Sequence, residues 1–302
     1  MGKHAYLILA HNKLDQLAIM LRALDDSRND FFLLLDCKTK GVDPDALQAS
    51  VRDGRLFLLS DCIDVRWGQY SQVRARMILL KAATEPGQYD YYHNISGQDM
   101  PLKTQNEIHV FFDAHRGTEF LSYRPGKKSL LYSHRCRVYY DFLKSIGRPK
   151  SNYQKIRIFA AALSQQLLLG IDRREHSPGT VFAKGGAWWS ITDEFARYCL
   201  SKESWITMAF DSTYCGDEML MPTLLYNSPY YNRLYKPQKG ERCSMRYTDW
   251  KRGKPYTFRS GDYQELVDCG MLFARKFDID LDREIVLRIA SHVKGIQDDT
   301  QE

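Results

Sequence analysis

Phe31-Phe-Leu-Leu-Leu-Asp36 is an unbroken apolar run that stops on a carboxylate. A strand with one wet face alternates apolar and polar residues, so this run reads as a strand buried on both faces, as in a parallel sheet. Upstream, Tyr6-Leu-Ile-Leu-Ala10 repeats the pattern and ends at His11; downstream, Arg55-Leu-Phe-Leu-Leu59 is a third strand. Leu14, Leu17, Ala18, Leu21 and Leu24 fall at helical spacing between the first two. Residues 71–83 form a second helical pattern, with Val73, Met77 and Leu80 on one face, and residues 89–95 a fourth strand. Thr104-Gln-Asn-Glu107 is a capping box that opens the next helix. Strands separated by helices predict a mainly parallel, Rossmann-like sheet. Ligands of such sheets sit beyond the carboxyl ends of the strands, which makes His11, Asp36 and the loop Ser96-Gly97-Gln98-Asp99 candidates for a site.

The chain of 302 residues, 44% of them hydrophobic, suffices for one α/β domain over residues 1–302. The sheet resumes near residues 180–189, a helix starts at about Thr192, and a closing helix is expected at 283–293. Residues 125–175 read as a helical insertion, because no Gly- or Ser-rich linker sets them apart. That stretch overlaps a block, residues 124–157, with ten Lys and Arg against the single acid Asp141; the net charge is +6, so the remainder is slightly acidic. A solvated face is the ordinary use of such a block. An anionic membrane surface or a phosphate-bearing acceptor is the next, and no reading motif for nucleic acid accompanies it. The seven cysteines form no Cys-x-x-Cys pair and are expected to be free thiols. No run approaches the ~20 apolar residues of a membrane span, and the opening Met1-Gly-Lys-His-Ala-Tyr6 has no signal-peptide layout. The expected location is the cytoplasm, with peripheral contact at the inner membrane surface.

Asp217-Glu218 precedes the apolar run Met219-Leu-Met-Pro-Thr-Leu-Leu225. Acids at a helix start complement its dipole, and a carboxylate fixed there also suits a general base. An Asp-x-Asp pair after a buried strand would suit a divalent ion, but here the sequence is Asp36-Cys37-Lys38, with a cation in the second position. The late run Asp278-Ile-Asp-Leu-Asp282 lies directly before a helix, where capping accounts for it. No metal cofactor is therefore expected. Arg259 and Lys276 are the cations available for a departing diphosphate. Trp188, Trp189 and Tyr247 offer a sugar-stacking platform, although aromatics at strand positions are more often core.

Several segments, in order along the chain, resemble the core-2/I-branching β-1,6-N-acetylglucosaminyltransferases and peptide O-xylosyltransferases. They are Ala5-Tyr6 to His11, Leu35-Asp36, Trp67-Gly-Gln-Tyr-Ser-Gln-Val73, Tyr91-Tyr-His-Asn-Ile-Ser-Gly-Gln-Asp-Met-Pro-Leu-Lys-Thr104, Gly186-Ala-Trp-Trp189, Gly216-Asp-Glu218, Met245-Arg-Tyr-Thr-Asp-Trp250 and Leu272-Phe-Ala-Arg-Lys-Phe277. The basic insertion has no counterpart in the resemblance. It implies a GT-A-type nucleotide-sugar domain, inverting chemistry and no divalent metal. Glu218 matches the catalytic base, and Arg259 and Lys276 match the pair that grips the donor diphosphate. Asp36 matches an acid near the uridine, and the loop from Gly97 to Asp99 lies at the donor sugar. Tyr247 falls at an aromatic acceptor contact where the usual tryptophan is absent. Animal members are anchored Golgi proteins with disulfides; the chain shows neither feature, which points to a bacterial-type cytosolic enzyme.

The resemblance therefore implies transfer from a UDP-sugar, GlcNAc before xylose, to a carbohydrate or lipid-linked glycan hydroxyl, with bacterial surface polysaccharide as the expected product. The alternative is a non-catalytic UDP-sugar or glycan-binding protein of the same fold, in which Glu218 has no task. A dehydrogenase or methyltransferase is excluded by Leu9-Ala-His-Asn12, which stands where a Gly-x-Gly-x-x-Gly turn would follow the first strand.

Overall fold

A computed structural model describes residues 2–123, 135–141, 151–236 and 242–295. Its main sheet has the strand order β3-β2-β1-β4-β7-β6. These strands are β1 (His4–Ala10), β2 (Asn29–Leu35), β3 (Arg55–Leu58), β4 (Tyr91–Ser96), β6 (Phe120–Tyr123) and β7 (Gly185–Thr192). β1 pairs in parallel with both β2 and β4, β2 pairs in parallel with β3, and β7 is antiparallel to β4 and β6. The mainly parallel sheet expected from the apolar runs is what forms. The sheet turns back at β1, with β2 and β4 on either side, so the carboxyl ends of β1, β2 and β4 open on one crevice.

The sheet is buried on both faces, which is why its strands read as apolar runs. Helices α1 (Leu14–Leu24), α4 (Gln105–Ala114) and the closing Arg283–Lys294 cover one face, with Leu17, Ile108 and Ile289 fully buried against Tyr6 and Phe31. Helix α3 (Ser71–Thr84) and the helices Asp193–Ser201, Glu203–Phe210 and Leu220–Tyr226 cover the other, where Trp189 and Phe195 are buried with Leu7 and Phe32. Capping follows the sequence: Thr104 and Glu107 form the expected box, Thr192 caps the helix after β7, and Asp282 accepts from Ile285 N at 3.0 Å. Asp278 and Asp280 both accept from Lys13 Nζ, so the acidic run is committed to structural contacts.

A small second sheet, β5 (Asp99–Pro101), β9 (Phe273–Arg275) and β8 (Arg246–Thr248), lies at the crevice end of the first. It is bolted there by Arg246, whose guanidinium donates to Ser244 O at 2.6 Å, Trp189 O at 2.8 Å and Ser190 Oγ at 3.1 Å.

Two expectations need correction. Cys37 and Cys62 are not free thiols: they form a disulfide across 25 residues of sequence. Parallel pairing continues past β2 and β3 as a bridge between Asp36 and Ile63, which sets the two cysteines side by side. The expectation of a reducing compartment loses that support; the other five cysteines are free. The sheet also resumes five residues later than residue 180, at Gly185. Of the insertion at 125–175, residues 125–134 and 142–150 lie outside the described residues. The described part holds one long helix, Asn152–Leu169, and a short turn of 3-10 helix, Arg173–His176.

Three buried histidines form a hydrogen-bonded stack between the sheet and α4. His109 Nε2 meets Asn29 Oδ1 at 2.9 Å, and His4 stacks on His109 with centroids 4.0 Å apart. His4 Nδ1 meets His93 Nε2 at 3.1 Å, and His93 Nδ1 meets Ser190 Oγ at 2.7 Å. Burial holds the pKa of all three down, His109 to about 4. Below the unfolded value of 6.5 the unfolded chain takes up protons that the folded chain refuses, so stability falls from pH 6.5 towards 4. Buried Glu119, raised to about 7, and buried Asp217, also raised, work in the opposite direction, two groups against the three histidines and His11, whose pKa is lowered too. Tm should therefore drop across this window, and His109→Gln should flatten the slope while costing about 1–3 kcal/mol near neutrality. Calorimetry over a pH series checks both; a pH-independent Tm in the native chain would refute the account.

Candidate active site

Glu218 sits in a turn of 3-10 helix, Gly216–Glu218, that enters the helix Leu220–Tyr226. The turn is tightly seated. Cys215 N donates to Gly68 O at 2.9 Å, and a Cβ on Gly216 would stand 3.3 Å from Phe210 Cδ1 and 3.5 Å from Val73 Cγ2. The Trp67-Gly68 segment therefore supports the turn from outside the sheet. The two acids have different surroundings. Asp217 is buried and faces Arg76 Nη2 of α3 at 3.4 Å; burial raises its pKa, and Arg76 opposes the shift. The Glu218 side chain is about one third exposed and receives Arg135 Nη1 at 2.9 Å and Lys184 Nζ at 3.2 Å. Both contacts, among the described residues, fall on Oε2.

Trp188 on β7 joins this group to the small sheet. Arg76 lies over its ring at 5.7 Å and Arg275 at 4.0 Å. Arg275 Nη1 is buried without a hydrogen bond and stands 3.9 Å from Asp99 Oδ1, while Asp99 Oδ2 accepts from Ser96 N at 2.6 Å and Ser96 Oγ at 2.5 Å. The next residue, Lys276, lies within electrostatic reach of His11 beyond β1. Desolvation lowers the pKa of His11; Asp36 opposes this, and Lys276 and Lys38 add to it. Carboxylates, cations and an aromatic ring gathered at this end of the sheet are groups that can bind an anionic, ring-bearing ligand beside a carboxylate that accepts protons.

The family model for the core-2/I-branching enzyme matches residues 4–267. The chain belongs to that family. It is similar to xylosyltransferase 2 of Rattus norvegicus, 23% identical over 314 residues, and to xylosyltransferase 1 of the same species, 21% identical over 315 residues. The human xylosyltransferase 2 is 22% identical. These alignments cover 96% of the chain but only 34–35% of the relatives, so it spans about a third of their length. The α/β architecture with its mainly parallel sheet is consistent with the GT-A-like glycosyltransferase fold of this family, as the sequence implied.

The candidates named from sequence do not all converge. His11, Asp36 and Lys276 meet at the carboxyl ends of β1 and β2, and Glu218 and Trp188 share the neighbouring group around Arg76. Asp36 is largely committed to its own turn, accepting from Lys38 N at 2.8 Å and Val65 N at 3.1 Å. Gly97 is tightly packed: its Cβ would stand 3.2 Å from Ala10 Cβ, which explains the glycine without a ligand. Arg259 shares backbone pairing with Lys276 through Phe258, but its guanidinium donates to Leu281 O at 2.6 Å. Tyr247 alternates with Arg246 along β8 and so faces the other way, bonding Glu265 and stacking on Phe258 at 5.6 Å. It does not join Trp188. Sequence reasoning missed Arg76, Arg135, Lys184 and Arg275. Of these, only Arg275 carried a signal, its place beside Lys276 in a resembling segment.

Asp217 and Glu218 should therefore separate by readout. Asp217→Asn leaves the buried Arg76 guanidinium without its charge partner and should lower stability by about 3–5 kcal/mol. Glu218→Gln, at a partly exposed position, should leave Tm almost unchanged. Thermal denaturation of both variants decides this; equal losses would mean that Glu218 is also structural.

Proposed function

We propose that the chain is an inverting glycosyltransferase that moves a sugar from a UDP-sugar to a carbohydrate hydroxyl without a divalent metal. The observation that carries this reading is the accessible Glu218 carboxylate, set in a buried turn and contacted by the cations Arg135 and Lys184. In this mechanism Glu218 Oε1, the oxygen opposite the Arg135 and Lys184 contacts, takes the proton from the acceptor hydroxyl. The hydroxyl oxygen attacks the anomeric carbon as the bond to UDP breaks on the opposite face. The charge growing on the diphosphate meets fixed cations, Lys276 with Arg275 or Arg259, in place of an ion. Support for the metal-free step comes from the residues themselves. Lys38 stands where an Asp-x-Asp pair would place its second carboxylate, and it binds Asp36 at 3.0 Å.

UDP-GlcNAc and UDP-xylose are the donors to test, and the xylosyltransferase relatives add weight to the second. A glycan, free or lipid-linked, is the proposed acceptor, with bacterial surface polysaccharide as the product class. Donor turnover measured with chelator, then with manganese restored, tests the metal-free step. Activity should persist in EDTA, and loss that manganese repairs would overturn it. Glu218→Gln should reduce turnover by roughly 10²–10⁴ with donor binding retained, and Lys276→Ala by about 10²–10³. If Glu218→Gln turned over normally, Glu218 would not be the base; a native chain that bound a UDP-sugar without turning it over would be read as a binder of the same fold.

A further inference from the structure

The helix Asn152–Leu169 is built inside out relative to a helix of a water-soluble fold. Ile158 and Ala162 are its buried residues, packed with Val138 and Tyr140, and Gln165 exchanges hydrogen bonds with the backbone of Tyr139 at 3.0 and 2.7 Å. At about 100° per residue, Tyr153, Ile156, Phe159, Leu163 and Leu167 fall within roughly 120° on the opposite side. That side is open: Tyr153 is 67% exposed, Ile156 and Phe159 65%, and Leu167 69%. The ridge runs for about 21 Å at 1.5 Å per residue. The only charged residues in the helix are Lys155 and Arg157, and the Arg157 guanidinium lies 5.8 Å from the Tyr153 ring centroid, at the edge of the ridge.

We propose that this ridge inserts in the plane of an anionic lipid surface, with Arg157 at its edge lying among the headgroups. Two observations select that occupant. No described helix is long and apolar enough to cross a membrane, and one side of this helix is already fixed to the protein, so it lies along the interface. The stretch of sequence that leads into the helix, residues 124–157, carries ten cations and one acid; among the described residues Arg135 and Arg137 pair with Glu218 and Asp172, and Arg157 stands at the edge of the ridge. Two copies meeting ridge to ridge would bring these segments together and repel, whereas anionic headgroups complement them. The segment on which the helix rests also carries Arg135, which binds Glu218, so the surface that docks adjoins the catalytic carboxylate and favours an acceptor held at the membrane. The docking itself rests on no catalytic assignment and is read without turnover.

The test is co-sedimentation of the full chain with vesicles of phosphatidylcholine alone and with phosphatidylglycerol added, over a salt series. Wild type should bind the anionic vesicles, more weakly as salt rises. The double variant Ile156→Ser with Phe159→Ser should bind at least about tenfold more weakly, since two exposed apolar side chains no longer insert, with Tm unchanged because neither is buried. Wild type left in the supernatant, equal binding to neutral vesicles, or equal binding by the double variant would overturn the proposal. Sedimentation velocity without lipid covers the remaining occupant: a wild-type dimer that becomes a monomer in the double variant would assign the ridge to self-association and equally overturn it.

Discussion

The Arg246 guanidinium is the constraint on which the cleft depends. It is buried where the small sheet meets the ends of β4 and β7, and burial lowers its pKa to about 10, which leaves it charged at neutral pH. A buried charge is costly unless its hydrogens are satisfied. Here the backbone carbonyls of Ser244 and Trp189 and the Ser190 hydroxyl accept from its two Nη groups, while the buried Nε has no partner among the described residues; Phe273 packs beneath it at 5.1 Å, and Asp99 supplies an opposing charge. Arg246 itself sits on β8 of the small sheet and the acceptors Trp189 and Ser190 on β7 of the main one, so the guanidinium fixes the relative position of the two sheets. Asp99, Arg275 and Lys276 are all carried on β5 and β9 or directly after them, and Trp188 is adjacent to one of the carbonyls that Arg246 holds.

The charges around the cleft are arranged in alternation. Asp217 opposes Arg76, Glu218 opposes Arg135 and Lys184, and Asp99 opposes Arg275, with Trp188 between the Arg76 and Arg275 guanidiniums. The ring faces offer both cations an attractive quadrupole at the point where they would otherwise repel each other. The result is a preformed set of fixed charges, a kind of arrangement that stabilises charge without reorganisation.

The fold was legible because apolar runs and helical spacing are local signals, and β1, β2, β3 and α4 lie within a few residues of where those signals placed them. What the sequence could not convey depends on register. Cys37 and Cys62 become neighbours only once the parallel pairing of β2 and β3 is known. Tyr247 was read as a stacking residue from its type, but strand alternation gives the inward position to Arg246. Of the adjacent cations, sequence favoured Arg259, whereas the geometry puts Arg275 over Trp188 and ties Arg259 to Leu281. Glu218 was legible as a residue, but its two cations were not, because Arg135 lies 83 positions away.

Local rules agree with one another through most of this chain, and a place where they disagree calls for a reason. The helix Asn152–Leu169 is such a place. Its Ser151 cap accepts from Gln154 N and Gly170 closes it in the left-handed conformation, so its ends are specified as firmly as those of core helices. Its broad apolar side nevertheless faces away from the protein, while a narrow side of Ile158, Ala162 and Gln165 makes the attachment. Water alone would select the opposite orientation, since turning the apolar side inward would remove far more hydrocarbon from solvent than the present seat does. A second apolar phase removes that contradiction, because the same helix then buries both sides. The helix seat and the Glu218 turn share Tyr214, which packs on the Val138–Tyr140 cluster and stacks with Tyr140 at 5.7 Å. The inner side of this helix is therefore linked, through that cluster, to the residue that precedes Cys215, Gly216 and the paired acids.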